Sequence, residues 1–229
     1  VGGQVETLSV LTYDASDRLK THTDDSQVTT MVYDGDGRRV RKTLEDTASF
    51  TVESDISYLY DGRRILYEVD ETGLEPSVIA SYTYGINLIA RLEGISGSTA
   101  YYLYNGHGDV TGLVDIDGVL IGSFDYEAFG DILEETGIGE TPFKYAGEYL
   151  DRETEMIYLG ARYYNPVIGR FTAEDPHWNL RNMIYGDNPV KIDERQDLLG
   201  LTIYTYAPDI NAIRQSTNLY VYCGNNPVI

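Results

Sequence analysis

The sequence predicts an all-β chain built from stacked antiparallel hairpins. Three observations carry that expectation. Tyrosine is in excess, with 21 Tyr against 5 Phe and one Trp. Glycine is frequent at 23 residues and proline sparse at 7, a balance that suits many tight turns and not a linker. A turn motif headed by tyrosine recurs along the first two thirds of the chain. Tyrosine favours strands, where its ring packs and its hydroxyl reaches a polar partner or water.

The motif runs aromatic, Tyr, Asp or Asn, a glycine turn, then a basic or apolar strand. It reads Tyr13-Asp14-Ala15-Ser16-Asp17-Arg18, Tyr33-Asp34-Gly35-Asp36-Gly37-Arg38 and Tyr60-Asp61-Gly62-Arg63-Arg64. A weaker copy is Tyr84-Gly85-Ile86-Asn87-Leu88, followed by Tyr104-Asn105-Gly106-His107-Gly108-Asp109 and Tyr126-Glu127-Ala128-Phe129-Gly130. Successive starts are 20, 27, 24, 20 and 22 residues apart, a period that marks an array. Asp-Gly and Asn-Gly close hairpins because glycine accepts positive φ and the Asp or Asn side chain caps nearby amides.

The runs between the turns have strand length and composition. They are Val28–Tyr33, Ile56–Tyr60, Arg64–Val69, Val78–Tyr84, Ala100–Tyr104 and Val119–Tyr126. Within the third, Ile65, Tyr67 and Val69 alternate with Leu66 and Glu68, which predicts one apolar and one polar face. A lone hairpin cannot hide its apolar face, so neighbours are expected to pair into a continuous sheet. Each turn tyrosine is expected to pack across strands onto the next repeat. Asp115-Ile116-Asp117-Gly118 reads as one more Asp-Gly hairpin and not a calcium loop, since the other ligand positions of such a loop are missing.

Charge narrows the function. The 229 residues carry 17 basic and 37 acidic side chains, a formal net charge of −20. Such a surface repels nucleic acid and anionic membrane, and it suits a soluble exterior or an interior holding a basic guest. Between Gly106 and Gly160 the only bases are Lys144 and Arg152. Arg38, Arg39, Arg41 and Lys42 form a small basic cluster, expected to be a solvated strand face. No apolar run reaches membrane-span length, so no membrane insertion is expected from this segment. The single cysteine, Cys223, excludes an intrachain disulfide and is expected to be a small buried apolar residue. His22, His107 and His177 are scattered, so neither a metal nor any other cofactor is expected. The chain does not begin with Met and carries no leader pattern; it reads as a fragment of something longer.

From Pro142 the pattern changes. The stretch runs Pro142-Phe143-Lys144-Tyr145-Ala146-Gly147-Glu148-Tyr149-Leu150-Asp151, then Glu153-Thr154-Glu155, then Arg162-Tyr163-Tyr164-Asn165-Pro166, Gly169-Arg170-Phe171 and Glu174-Asp175-Pro176. The chain closes with Asn218-Leu219-Tyr220 and Asn225-Asn226-Pro227. Arg162 and Arg170 are expected on short strands either side of the Asn165-Pro166 turn, as structural members of an arginine–carboxylate network. The 177–217 stretch holds an Asp187-Asn188-Pro189 turn, a strand-like run Leu201–Ala207 and a short helix candidate, Asp209–Gln215.

Together these residues resemble RHS proteins. The Tyr-Asp-x-x-Gly-Arg hairpins look like YD repeats, shared with teneurins and the C components of insecticidal toxin complexes. The block after residue 141 resembles the RHS-repeat-associated core. Here Glu155 stands where that core usually has Gly, Asn165 where it has Asp, and Glu174 where many members have Arg. The resemblance implies YD-type β-hairpin repeats over 1–140, forming part of a spiral β-shell. It implies a core over 141–229 with a partly helical insertion at about 177–217.

The function so implied is a structural shell module of a secreted or cell-surface bacterial polymorphic toxin. Its partners would be the protein's own C-terminal toxin domain and a cognate shell or delivery protein. A second implication is enzymatic: the core would act as a self-cleaving aspartyl protease, with Asp175 as catalytic residue. That chemistry needs two carboxylates sharing a proton, and no acidic residue lies in 218–229 to pair with Asp175. The alternative for Asp175 is an Asp-Pro turn residue capping its own backbone. A third function class is an adhesion module that binds partners through its outer face.

Overall fold

A computed structural model describes residues 9–227 of the chain. These residues divide into two compact units, 9–172 and 173–227.

The first unit is dominated by a twelve-stranded antiparallel sheet in simple sequence order. Its strands are β1 (Val10–Tyr13), β2 (Leu19–Thr23), β3 (Gln27–Tyr33), β4 (Arg39–Asp46), β5 (Val52–Asp61) and β6 (Arg64–Asp70). They continue as β7 (Ser77–Tyr84), β8 (Leu88–Glu93), β9 (Thr99–Tyr104), β10 (Val110–Val114), β11 (Leu120–Tyr126) and β12 (Ile132–Gly137). Each run read as a strand from sequence matches one of these, with Val119 alone falling one residue before β11. All the tyrosine-headed turns fall at one end of the sheet, because each closes an odd–even strand pair. Asp115-Ile116-Asp117-Gly118 closes β10 to β11 at the other end, with Gly118 at φ +79°.

The turn chemistry follows the motif. In the second repeat, Asp34 Oδ1 accepts the backbone N–H groups of Asp36 and Arg38, and Arg38 Nε donates to Asp34 Oδ2 at 2.7 Å. Asn105 does the same for His107, Gly108 and Asp109. Gly37 takes φ +80°, a conformation that costs glycine least.

The turn tyrosine faces back to the preceding hairpin, not forward as expected. Tyr33 donates its hydroxyl to the Leu19 carbonyl at 2.7 Å, Tyr60 to Arg39 at 2.8 Å, Tyr104 to Leu88 at 2.8 Å and Tyr126 to Val110 at 2.7 Å. The accepting residue is in each case the one paired with the previous turn's tyrosine, at the start of the strand leaving that turn. The motif arginine secures the same joint from above. Arg18 lies 4.8 Å over the Tyr33 ring, Arg38 5.6 Å over Tyr60 and Arg64 5.3 Å over Tyr84. Arg38 also donates to the Gly62 carbonyl at 2.9 Å and Arg64 to the Ile86 carbonyl at 3.2 Å. Successive hairpins are thus tied at their turns as well as along their ladders.

Each strand leaving a tyrosine turn carries a one-residue bulge. Tyr33 pairs with Arg39 while Val32 pairs with Arg41, so Val40 is extra. The same slip leaves out Lys20, Leu66, Ile89, Thr111 and Leu133. A bulge breaks the two-residue period, so residues three apart come to share a face. Leu19 and His22, Ile65 and Glu68, and Val110 and Leu113 are accordingly buried in pairs. This corrects the expected alternation in β6: Glu68 is buried and Tyr67 is exposed, because the slip at Leu66 reverses the phase.

One face of the sheet is covered by the segment after residue 140. That segment forms a 3₁₀ turn at Tyr145–Gly147 and a small sheet of β13 (Tyr149–Asp151), β14 (Met156–Tyr158), β15 (Tyr163–Asn165) and β16 (Arg170–Phe171). The core between the layers is aromatic. Tyr58 meets Tyr149 edge-on at 5.7 Å, and Phe143 meets both Tyr82 (5.0 Å) and Tyr149 (5.5 Å) edge-on. Edge-to-face pairs of this kind add to plain area burial.

The second unit holds a two-stranded ribbon, β17 (Val190–Gln196) with β18 (Thr202–Ala207), and one short helix, α1 (Ile210–Ser216). The expected strand and helix are both present. Asp209 is the N-cap, accepting the N–H groups of Asn211 and Ala212. Cys223 is exposed, not buried as expected, because it opens a 3₁₀ turn at φ +45° near the chain's end.

Candidate functional site at the sheet–core junction

The bulge at Val40 turns Arg39 and Lys42 to the same, covered face of the sheet. Arg39 is 0% exposed and Lys42 8%. The basic cluster is therefore split: Arg38 and Arg41 stay at the surface, with Arg41 on Asp55, while Arg39 and Lys42 enter the core. A solvated face was expected because the partner is far away in sequence and the bulge is invisible in it.

The partner is Asp151, fully buried at the end of β13. Arg39 Nη1 donates to Asp151 Oδ2, and Lys42 Nζ donates to Asp151 Oδ1 at 2.7 Å. Tyr163 links the pair. Its hydroxyl accepts from Arg39 Nη1 at 2.5 Å and donates to Asp151 Oδ2 at 2.7 Å. The Arg39 backbone is held as well, its N–H donating to the Tyr158 hydroxyl at 2.9 Å. Around the guanidinium stand the rings of Tyr158 (4.6 Å), Tyr58 (4.7 Å), Tyr149 (4.9 Å) and Tyr163 (5.9 Å). Its Nε and Nη2 have no hydrogen-bond acceptor among the described residues; the ring faces take that place.

Electrostatics fix the charge states. Burial would raise the Asp151 carboxyl, but Arg39 and then Lys42 outweigh it and hold it below its ordinary pKa. Burial would lower Lys42, but the Asp151 carboxylate raises it instead. A carboxylate pinned between two cations cannot act as a general acid near neutral pH. The arrangement is a lock between hairpin sheet and core, not a reaction centre.

A row of further charges lines the same junction. Lys42 also bridges Glu153. Lys144 Nζ sits 3.2 Å over the Phe124 ring and 3.0 Å from Glu135, which also takes Arg152 at 2.6 Å. Burial pushes the Lys144 amine down to about 8 despite Glu135. Glu68, raised by burial, accepts from the Tyr82 hydroxyl at 2.9 Å. At the neighbouring turn Asp109 accepts from the Ala146 N–H at 2.8 Å and contacts His107 Nδ1 at 2.8 Å, which fastens the core's 3₁₀ turn to the fifth repeat.

Asp175 lies in the second unit, partly buried. Its Oδ1 accepts the His177 N–H at 3.0 Å, and its own N–H donates to the Leu219 carbonyl at 3.0 Å. The structure thus joins Asp175 to the closing Asn218-Leu219-Tyr220 block, where Tyr220 also reaches Glu174 at 3.4 Å. Arg162 stacks 3.6 Å from the Phe171 ring centre, and Arg170 Nη1 is buried without an acceptor among the described residues. No three His, Cys, Asp or Glu side chains among the described residues converge as a metal cage.

Antiparallel hairpins in sequence order, joined turn to turn by tyrosine and arginine and capped by an aromatic core segment, define a YD-repeat shell. The chain belongs to the teneurin YD-shell family, which it matches over residues 74–228. It is 34% identical over 173 residues to the tRNA nuclease WapA of Bacillus subtilis, covering 72% of this chain and 7% of that protein. It is 31% identical over 214 residues to double-stranded DNA deaminase toxin A of Burkholderia cenocepacia, covering 78% of this chain and 15% of that protein. The chain therefore spans a small fraction of these relatives. The crystal structure of TcdB2-TccC3-Cdc42 shares the fold at a TM-score of 0.67 and 21% identity, over 96% of this chain and 10% of that one. The chain is a structural shell module of the RHS type.

Proposed function

We propose that this module is the C-terminal part of a shell that encloses and presents a toxin domain encoded downstream. In that reading residues 1–140 are shell hairpins and 141–229 the core, with 177–217 inserted. The observation that carries it is the buried Arg39–Asp151 lock, which fastens core to hairpins so that the shell can end in a fixed structure. The relatives' own names, a tRNA nuclease and a DNA deaminase toxin, support a toxic cargo. A secreted or cell-surface location, and a cognate shell or delivery protein, belong to the same reading. Among the described residues no helix is long and apolar enough to cross a membrane.

The test is protease protection of the parent protein. A domain following Ile229 should resist digestion while the shell is intact and become sensitive in Asp151→Asn. A downstream domain equally sensitive in both proteins would refute enclosure.

A second reading has one favouring observation. The bond from Asp175 to Leu219 sets the core aspartate beside the closing block, from which any downstream chain departs. Asp175 would then activate water for cleavage of its own chain, with the second carboxylate supplied from beyond Ile229. Expression with the natural downstream residues should yield two fragments, and Asp175→Asn one. An uncut wild-type chain rules this reading out.

A further inference from the structure

The tyrosine relay is broken at one joint. Tyr33, Tyr60, Tyr104 and Tyr126 each donate to the preceding hairpin. Tyr84 would donate to the Ile65 carbonyl by the same rule, yet its hydroxyl has no hydrogen-bond partner among the described residues. At that joint the surface opens into a cleft of about 190 Å³. Its lining residues include the aromatic Tyr60, Tyr84, Phe143, Tyr149 and Tyr158, together with Glu148.

Glu148 has neither an ion-pair nor a hydrogen-bond partner for its carboxylate among the described residues. Glu148 is an exposed residue of the lining; partial burial alone pushes its carboxyl above its ordinary pKa, and neither lining arginine offsets it. Arg64 is engaged, stacked over Tyr84 at the cleft's edge and bonded to the Ile86 carbonyl, and Arg63 is exposed to solvent. A carboxylate with no ion-pair partner beside aromatic residues is the acceptor set that recognises an organic cation. The space admits one extended amino-acid side chain.

We propose that the cleft between Tyr60, Tyr84 and Glu148 is a binding site for a lysine or arginine side chain of a polypeptide. Glu148 takes the charge, the rings of Tyr84 and Tyr158 cover the stem and head, and the Tyr84 hydroxyl accepts one N–H. A net charge of −20 draws basic segments to such a site.

The test is an NMR titration of the full chain with n-butylammonium and n-butylguanidinium, following the tyrosine ring signals. At least one cation should bind saturably, moving the Tyr84 and Tyr158 rings. Glu148→Gln should weaken it at least about fivefold and Tyr84→Phe about twofold. Glu148 lies at the surface, so an unchanged thermal midpoint checks that its variant is folded. Three results would overturn the proposal: no saturable shift with either cation, affinity unchanged in Glu148→Gln, or equal binding of 1-butanol or butyrate.

Discussion

Arg39 on β4 and Asp151 on β13 are 112 residues apart in sequence and form a fully buried ion pair between the two layers of the shell module. Lys42 and Tyr163 satisfy the rest of the carboxylate, so the pair is embedded in a network and not isolated. Removing one partner leaves the other buried and uncompensated. Asp151→Asn or Arg39→Met should therefore destabilise the chain by about 3–5 kcal/mol. Urea unfolding measures this, and a loss below about 1 kcal/mol would mean that the pair does not hold the layers together.

The same aspartate sets an acid limit. Its folded pKa lies below its unfolded value of about 3.9, so its contribution is complete above that value and is lost as pH falls through the folded one. The stability gap between wild type and Asp151→Asn should be flat near neutrality and shrink below about pH 4. A gap unchanged at pH 3 would contradict the assignment.

Lys144 behaves in the opposite sense. Its amine is lowered to about 8 in the folded chain, so between that pH and its ordinary value the unfolded state binds more protons. Stability conferred through Lys144 therefore rises with pH from about 8 towards about 10.4. Buried tyrosines such as Tyr149, raised by burial, pull the other way above about pH 10, so the comparison must be with Lys144→Met. The wild-type curve should climb relative to the variant across that window, and parallel curves would refute the shift.

The relay predicts a contrast among chemically identical changes. Tyr33→Phe and Tyr104→Phe each delete a hydroxyl-to-carbonyl bond between hairpins and should cost about 0.5–1.5 kcal/mol. Tyr84→Phe deletes no such bond and should cost a few tenths of a kcal/mol at most, roughly the range of neutral surface changes. Equal losses at the three positions would dissolve the distinction.

Glycines separate by surroundings. Gly130 takes φ +91°, and a methyl group there would lie 2.5 Å from the Tyr145 ring. Gly118 takes φ +79° with nothing within 4 Å. Gly118→Ala should cost about 1 kcal/mol for the backbone alone, and Gly130→Ala about 3 kcal/mol with the clash added. Thermal melts in parallel would check the order.

Much of this fold was legible because its signals are local. Tyr-Asp-Gly spacing announces a hairpin wherever it stands, since turn geometry depends on adjacent residues alone, and the period then implies neighbouring strands. The Asp209 cap and its helix were readable for the same reason. What tertiary structure alone decided is which residues meet. A one-residue bulge shifts the phase of every strand leaving a tyrosine turn, and nothing in the composition of β4 or β6 marks it. That shift carries Arg39, Lys42 and Glu68 inside. Burial of such charges is tolerable only against partners like Asp151, brought up by a segment more than a hundred residues later. Local chemistry wrote the hairpins; long-range charge compensation chose the core.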